Sequence, residues 1–282
     1  MELFEIDQFN IDQEGSIIPP DVAENIGRLC FHGMVTGKDT QCGGIVWSYK
    51  NAEEEEKDTE SEIVWFFGEG KEVLDNLLGA YRSQIEDELT VVSKIELPMD
   101  KEASLLGEAL SGVGFEIENA ESIDVYVTVE DIKGLKLVKK KPAFYIKPLS
   151  EVEYRQYKNG ITDVMFHGRK GLLEDIAWIS KEWFEQDVSS CVILDGKVKG
   201  FFLIHKTPTG TLVLELLFAV DIDPKKTVLN LLRFSAREVI KRYPPETKIL
   251  IRRHSSNVNA LVKNLFPDKK GDIVMSGVRQ EK

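Results

Sequence analysis

Cysteine and histidine are scarce in this sequence. Its 282 residues include only three cysteines, Cys30, Cys42 and Cys191. Few, unclustered and odd-numbered cysteines are typical of a reducing compartment and argue against a disulfide framework. The four histidines, His32, His167, His205 and His254, lack metal-ligand spacing. We therefore expect neither a disulfide nor a metal site.

Long apolar runs and excess basic charge are also lacking. No apolar stretch approaches the roughly 20 residues that span a bilayer, and the start, MELFE, has neither the basic nor the apolar region of a signal peptide. Acidic residues outnumber basic ones by 48 to 36, for a formal charge of -12. This charge repels nucleic-acid phosphates and anionic lipids. We expect a cytoplasmic protein with no nucleic-acid partner and no membrane partner.

Several enzyme signatures are absent, whereas the length and composition indicate two globular domains. There is no Ser-His-Asp signature, Walker loop or dinucleotide fingerprint. The length exceeds the roughly 100–200 residues of one domain, and 42% apolar with 30% charged residues is ordinary for a folded chain. A lysine-rich stretch containing Pro142 loses periodicity. We predict domains at 1–135 and 144–282, joined by a linker at 136–143.

The first half shows alternating strand and helix patterns. A hairpin is predicted from 29–35 and 42–49, followed by a solvated acidic loop at 53–58. The apolar run 62–67 predicts a central strand ending at Gly68-Glu69-Gly70, before an amphipathic helix from Lys71. Further patterns predict a strand at 89–95, a helix at 102–110 and a strand at 123–129.

The second half repeats this order. Two helical patterns, near 152–164 and 172–183, precede a hairpin around Asp195-Gly196, a dipeptide favoured in type I′ turns. Trp178 and Trp183 on the second of these helices are interpreted as core residues. The remaining patterns predict a strand at 211–221, a helix from Pro224, a strand at 248–252, a helix at 256–266 and a strand at 272–278.

The repeated order resembles the GCN5-related N-acetyltransferase (GNAT) fold. Residues 217–221 (LFAVD) look like the fourth strand of that family, and Asn257 with Ala260 are similar to the helix before its final strands. In the first half, 112–115 (GVGF) resemble the Gly-Phe after its second crossover helix. The resemblance implies an α/β (α+β) fold of two GNAT-like domains, each a mixed, centrally splayed sheet flanked by helices.

The resemblance also implies acetyl-CoA or another acyl-CoA as co-substrate. In that fold, the splayed strands receive pantetheine and the following helix N-terminus receives the pyrophosphate. This places a cofactor edge at Val220, Ile222, Lys225, Lys226 and Thr227. The match departs from the family where Lys226, Val228 and Asn230 replace small residues. In the first half, Gly68-Glu69-Gly70-Lys71 offers small residues, with Glu69 where phosphate would lie.

The chemistry expected from the resemblance is acetyl transfer to an amine. Glu215, among leucines, is the candidate base, and its alternative is an outward-facing charge. His254 is a candidate acid or substrate contact, with a solvated strand end as the alternative. The family commonly uses a tyrosine as the general acid. The matching positions in the second and first halves of this chain are Asn264 and Gly107. We therefore expect an acyl-CoA-dependent N-acyltransferase of a small-molecule or peptide amine, or else a non-catalytic module for ligand sensing or protein association. A homodimer is possible, and the sequence does not determine the oligomeric state.

Overall fold

The chain forms two compact units. The computed structural model describes residues 2–28, 30–37, 41–51, 59–87, 90–100, 102–166, 174–220, 223–253 and 255–281. Unit 1 comprises Met1–Ser122, Lys170–Asp175 and Asp272–Lys282, and unit 2 comprises Ile123–Arg169 and Ile176–Gly271.

The strands follow the alternating and apolar runs of the sequence. In chain order they are β1 (Leu3–Ile6), β2 (Phe31–Thr36), β3 (Gly43–Asn51), β4 (Thr59–Gly68), β5 (Thr90–Pro98), β6 (Glu116–Glu121), β7 (Asp124–Thr128), β8 (Ile146–Pro148), β9 (Ser190–Leu194), β10 (Lys197–Lys206), β11 (Leu212–Ala219), β12 (Lys248–Arg252) and β13 (Ile273–Gln280).

The helices connect these strands. They are α1 (Ile11–Glu14), α2 (Pro20–Ala23), α3 (Lys71–Asp87), α4 (Ala103–Gly112), α5 (Val129–Lys133), α6 (Tyr154–Phe166), α7 (Pro224–Arg242) and α8 (Ser256–Leu265), with 3₁₀ turns at Lys136–Lys139, Leu149–Glu151, Glu174–Ala177 and Lys181–Trp183. No helix of the described ranges combines the length and apolarity required to cross a membrane.

Unit 1 is built on a seven-stranded sheet in the order β1-β2-β3-β4-β5-β13-β6. The strands β4 and β5 are parallel, and the other neighbours are antiparallel. The helix α3 crosses between β4 and β5. Its residues Leu74, Leu77, Leu78 and Tyr81 recur at three- and four-residue steps and are fully buried in the core around Trp47. This spacing explains why the segment folds as a helix against the sheet.

Unit 2 is built on a six-stranded sheet in the order β7-β12-β11-β10-β9-β8. The pair β11 and β12 is parallel, with α7 as its crossover. Leu231, Leu232 and Val239 of α7 are buried in the core of this unit, and Val262 of α8 joins them. The turn between β9 and β10 has positive φ at Asp195 (51°) and Gly196 (73°), which confirms the predicted hairpin and its type I′ signature.

The last strand of each half lies in the other sheet, so the predicted domain boundaries need correction. The strand predicted at 123–129, now β7, pairs with β12 in unit 2, and β13 pairs with β5 and β6 in unit 1. The segment 136–143 is also part of unit 2, because Leu137 is buried and Arg237 of α7 donates to the Val138 carbonyl at 2.8 Å. Alternation predicts which side chains face inward, but it does not identify the neighbouring strand.

The segment before the hairpin of unit 2 also differs from its prediction. The helix expected at 172–183 is two 3₁₀ turns within 174–183, and Trp178 is 73% exposed rather than in the core. Its apolar residues are therefore distributed over turns and not along one helical face. The predicted acidic loop at 53–58 lies outside the described residues.

Candidate functional site

In each sheet, the two central parallel strands stop pairing part-way along. In unit 2, β11 and β12 pair only at Leu212–Ile249 and Val213–Leu250, although β11 continues to Ala219. In unit 1, pairing between β4 and β5 ends at Ile63–Ile95, and β4 continues to Gly68. We call the region beyond the last pair the wedge of each unit. The central splay predicted for both halves is present in the strand pairing.

A β-bulge lies at the start of each wedge. In unit 2, Leu203 pairs with Leu216 and Ile204 pairs with Leu214, so Glu215 is the extra residue of β11. A bulge adds one residue to a strand and redirects its side chain. Glu215 is partly buried and stands two residues beyond the last β11–β12 pair. The structure therefore places the candidate base at the opening of the wedge.

The equivalent position in unit 1 carries no titratable group. There, Val46 pairs with Trp65 and Trp47 pairs with Ile63, which makes Val64 the extra residue of β4. Val64 directly follows the last β4–β5 pair. Because valine can neither accept nor donate a proton, this bulge offers no general base.

An apolar cavity adjoins the wedge of unit 2. Its volume is about 60 Å³, and Leu214 and Ile251 in its wall are the first residues of β11 and β12 beyond the last pair. The helices α7 and α8 supply further walls, among them Leu232 and Val262. Among the described lining residues, one hydroxyl is present, and this Ser235 Oγ lies 3.0 Å from the Ser190 hydroxyl. This side of the wedge accordingly suits apolar atoms.

The N-terminus of α7 is capped by its own chain. The Asp223 carboxylate accepts from the Lys226 N–H at 3.1 Å, and the Asp223 carbonyl accepts from the Thr227 N–H at 3.1 Å. Pro224 at the first helical position has no N–H to offer. The Lys226 N–H and the favourable dipole are therefore occupied by an internal carboxylate, and the Thr227 N–H by a backbone carbonyl, where an external phosphate was expected.

The predicted cofactor edge is only partly available to a ligand. The Val220 N–H donates to the Lys199 carbonyl at 2.8 Å, and Thr227 is 1% exposed. Lys225 and Lys226 are exposed, so their ammonium groups can reach an anion from solvent. Ile222, and likewise the candidate acid His254, lie outside the described residues.

Asn230, which stands where the family's phosphate loop has a small residue, directs its side chain to the Lys226 carbonyl and the Ala143 N–H. Asn230 is 5% exposed, its amide donates to the Lys226 carbonyl at 2.9 Å, and its side-chain oxygen accepts from the Ala143 N–H at 3.2 Å. Asn230 thus ties the 143 segment to α7.

The N-terminus of α3 in unit 1 is more open than that of α7. Gly70, with φ +95°, precedes it, and a Cβ built there would meet nothing within 4 Å. Within the described part of the chain, the N–H groups of Lys71, Glu72 and Val73 donate to no protein acceptor. This turn has space and donors for an anion, with the exposed Glu69 beside it.

The remaining predicted positions provide no general acid. Asn264 is exposed on α8, and a Cβ on Gly107 of α4 would lie 2.8 Å from the Met275 sulfur. Arg252 forms an ion pair with Asp124 at 3.6 Å. Within the described ranges, no group of three His, Cys, Asp or Glu residues could hold a metal ion.

Several solved structures that share this architecture are described as GCN5-related N-acetyltransferases. A tandem GNAT protein from the clavulanic acid biosynthesis pathway matches with a TM-score of 0.58 at 10% identity, over 99% of this chain and 98% of its own. The chain has the tandem GNAT fold. Two GCN5-related N-acetyltransferases match as well. The protein from Kribbella flavida has a TM-score of 0.52 at 12% identity, over 99% of this chain and 72% of its own. The protein from Sphaerobacter thermophilus has a TM-score of 0.51 at 11% identity, over 99% of this chain and 95% of its own.

Similarity at the sequence level is too low to extend this result to activity. No protein-family model matches the chain, and no curated protein matches it. At 10–12% identity, the three structures establish the GNAT fold and leave the reaction undetermined.

Proposed function

We propose that this GNAT-fold protein is an acyl-CoA-dependent N-acyltransferase that acetylates a small-molecule or peptide amine at the wedge of unit 2. The observation that carries the proposal is the position of Glu215, which occupies a β-bulge where the two parallel strands stop pairing. Of the two bulges, only this one has a proton-accepting side chain.

In this reaction, Glu215 accepts a proton from the acceptor ammonium, directly or through one water. The neutral amine then attacks the thioester carbonyl carbon. As the tetrahedral intermediate collapses, the nitrogen loses its second proton to solvent, the C–S bond breaks and the amide is left. The leaving group is a thiolate, and thiols ionise readily, since the thiol of a model cysteine has a pKa of about 8.5. Because such a thiolate departs near neutral pH without full protonation, the missing tyrosine at Asn264 is compatible with turnover, and solvent supplies the last proton.

The ligand contacts in this proposal are divided between charge and apolar surface. Lys225 and Lys226 attract the phosphates from the exposed start of α7. The apolar cavity at Leu214 and Ile251 receives the methylene and methyl groups. The capping contact of Asp223 with the Lys226 N–H opposes the phosphates, so we expect weaker binding than at an uncapped helix.

The alternative is a non-catalytic module that senses a ligand, and the same Asp223 cap favours it. A capped helix N-terminus has less need of an external anion. Titration calorimetry with acetyl-CoA and with CoA is the first test, because the transferase must bind at least acetyl-CoA. A flat titration, together with an unchanged melting temperature, would contradict the transferase.

If acetyl-CoA binds, Glu215→Gln tests the chemistry. We expect thiol release with a panel of primary amines to fall by about 10²–10⁴-fold, with little change in acetyl-CoA affinity, because the amide cannot accept the proton. Glu153→Gln, an exposed position of unit 2, is the matched control and should keep full activity. Equal turnover by both variants would rule out Glu215 as the base.

A further inference from the structure

A lysine-rich segment of unit 2 lies along the surface of α7. We call residues 136–145 the strap. Arg237 of α7 donates to the Val138 carbonyl of the strap at 2.8 Å, and Asn230 accepts from the Ala143 N–H at 3.2 Å. Asn230 and Arg237 are about two turns apart on one face of the helix. The strap therefore runs along that face toward the N-terminus of α7, and a regular helix holds its backbone in place.

The strap and the adjoining part of α7 concentrate positive charge. Residues 132–150 include six lysines and residues 224–237 include four basic residues, and neither stretch contains an acidic residue. Four side chains of the strap are exposed, and within the described residues none of them forms an ion pair: Lys136, Lys139, Lys140 and Lys141. Although the whole chain has a formal charge of -12, this surface is locally cationic.

Two apolar side chains project from the cationic surface. Phe144 of the strap is 95% exposed, more than any other large apolar side chain of the described residues. Leu229 of α7 is 36% exposed, and it has Lys226 three residues before it and Arg233 four residues after it on the helix surface. Apolar side chains among cations suit the interface of a bilayer, where anionic headgroups cover hydrocarbon.

We propose that the strap and the adjoining face of α7 dock on the headgroup layer of an anionic phospholipid bilayer. The lysines attract the headgroup phosphates, and Phe144 enters the boundary between headgroups and acyl chains. A single-stranded nucleic acid matches the charge as well, but it binds aromatic faces by stacking, and Leu229 has none. An acidic peptide has no need of an aromatic side chain as exposed as Phe144. The docking surface is independent of the acyltransferase proposal.

The net negative charge of the chain opposes this docking only weakly. The excess of acidic residues predicts repulsion from anionic lipids, but at physiological ionic strength a charge more than about 8 Å away is largely screened. Each lysine close to an anionic membrane surface contributes on its own. The exposed lysines of the strap are therefore decisive for binding, and the acidic residues elsewhere are not.

Flotation of the full chain with lipid vesicles tests the surface. The probes are vesicles of phosphatidylcholine alone and vesicles in which about one-third is phosphatidylglycerol. We expect the chain to float with the mixed vesicles in about 0.1 M salt and to be released in about 1 M salt, where charges are screened within about 3 Å. Equal flotation with both vesicle types, or none with the mixed vesicles, would overturn the proposal. Binding of oligouridylate or polyglutamate without vesicle binding would assign the surface to a soluble polyanion instead.

Two variants separate charge from insertion. Lys140→Glu with Lys141→Glu should lower the affinity for the mixed vesicles by 10-fold or more, on the order of two reversed charges at the membrane surface. Phe144→Ser should lower it by about 5–20-fold and leave the salt dependence unchanged, because only apolar contact is lost. Neither change removes a buried contact, since all three side chains are exposed. Wild-type affinity in both variants would overturn the proposed surface.

Arg155→Glu with Lys197→Glu is the matched control, because it changes the net charge of unit 2 equally at two exposed positions. Arg155 lies on α6, which packs against Phe201, whereas the next residue, Phe202, lines the cavity beneath α7 on the other face of the sheet. The control should keep wild-type affinity for the mixed vesicles. Equal weakening by the control and by the lysine pair of the strap would mean that net charge governs binding and would overturn the docking surface.

Discussion

Replacing Tyr81 with phenylalanine should destabilise unit 1 through two serine hydroxyls that it leaves unpaired. Tyr81 of α3 is fully buried, and its hydroxyl lies 2.8 Å from both Ser61 Oγ of β4 and Ser93 Oγ of β5. One hydroxyl has one proton, so Tyr81 donates to one serine and accepts from the other. Ser61 and Ser93 are paired residues of the parallel strands, and the last pair before the wedge, Ile63–Ile95, follows two residues later.

The expected loss for Tyr81→Phe is about 2–3 kcal/mol. Both serines are fully buried, and each buried hydroxyl left unpaired costs about 1–3 kcal/mol. Partial reorganisation of the two serines reduces the sum. The triple variant with Ser61→Ala and Ser93→Ala should regain part of the loss, because removing all members of a polar network is milder than removing one.

Hydrogen-exchange mass spectrometry is the suitable assay, because a two-unit chain need not unfold in one step. We expect faster exchange in peptides from α3, β4 and β5. Tyr157→Phe in unit 2 is the control. Its hydroxyl donates to the Ile179 carbonyl at 3.1 Å, and Lys158 also donates there at 3.4 Å, so the acceptor keeps a partner. Unchanged exchange in Tyr81→Phe, or no recovery in the triple variant, would refute the network argument.

Two further predictions concern unit stability. Burial raises the pKa of the Cys191 thiol from 9.0 to about 12, so only the unfolded state loses this proton just above pH 9, and stability falls as pH rises. Between pH 9 and 10.5 the wild type should lose about 1.6 kcal/mol more than Cys191→Ala in denaturant titrations, and parallel losses would contradict this. Gly160→Ala should lower the melting temperature, because its Cβ would lie 2.8 Å from Phe201 Cζ. At Gly79 of α3 an added Cβ would meet nothing within 4 Å, so Gly79→Ala should raise the free energy of unfolding by about 0.5–1 kcal/mol. A higher melting temperature for both variants would contradict the steric argument at Gly160.

The sequence predicts the elements well because periodicity and turn residues are local signals. The helix α3 follows from its apolar stripe, and Asp195-Gly196 identifies its hairpin. The site is predicted less well, because it depends on strand partners. Glu215 becomes the bulge residue only through the shift in β10–β11 pairing. Arg279 pairs with Ser93 of β5 only because β13 joins the sheet of unit 1, and assigning that strand to the second half concealed this neighbour.

The start of α7 carries one negative charge, on Asp223, and two positive charges, on Lys225 and Lys226. If a CoA phosphate binds there, removing the negative charge and reversing the positive charges should change the affinity in opposite directions. Asp223→Ser keeps a capping hydroxyl but removes the negative charge next to the Lys226 N–H, so acetyl-CoA affinity should rise by about 2–5-fold. Lys225→Glu with Lys226→Glu should lower it by 10-fold or more, on the order of two lost charge-assisted contacts. Lys140→Glu with Lys141→Glu changes the net charge of unit 2 equally at two exposed positions. Calorimetry should therefore give opposite changes for the first two variants and little change for the control. Equal weakening by both lysine pairs would mean that net charge, and not the start of α7, governs binding.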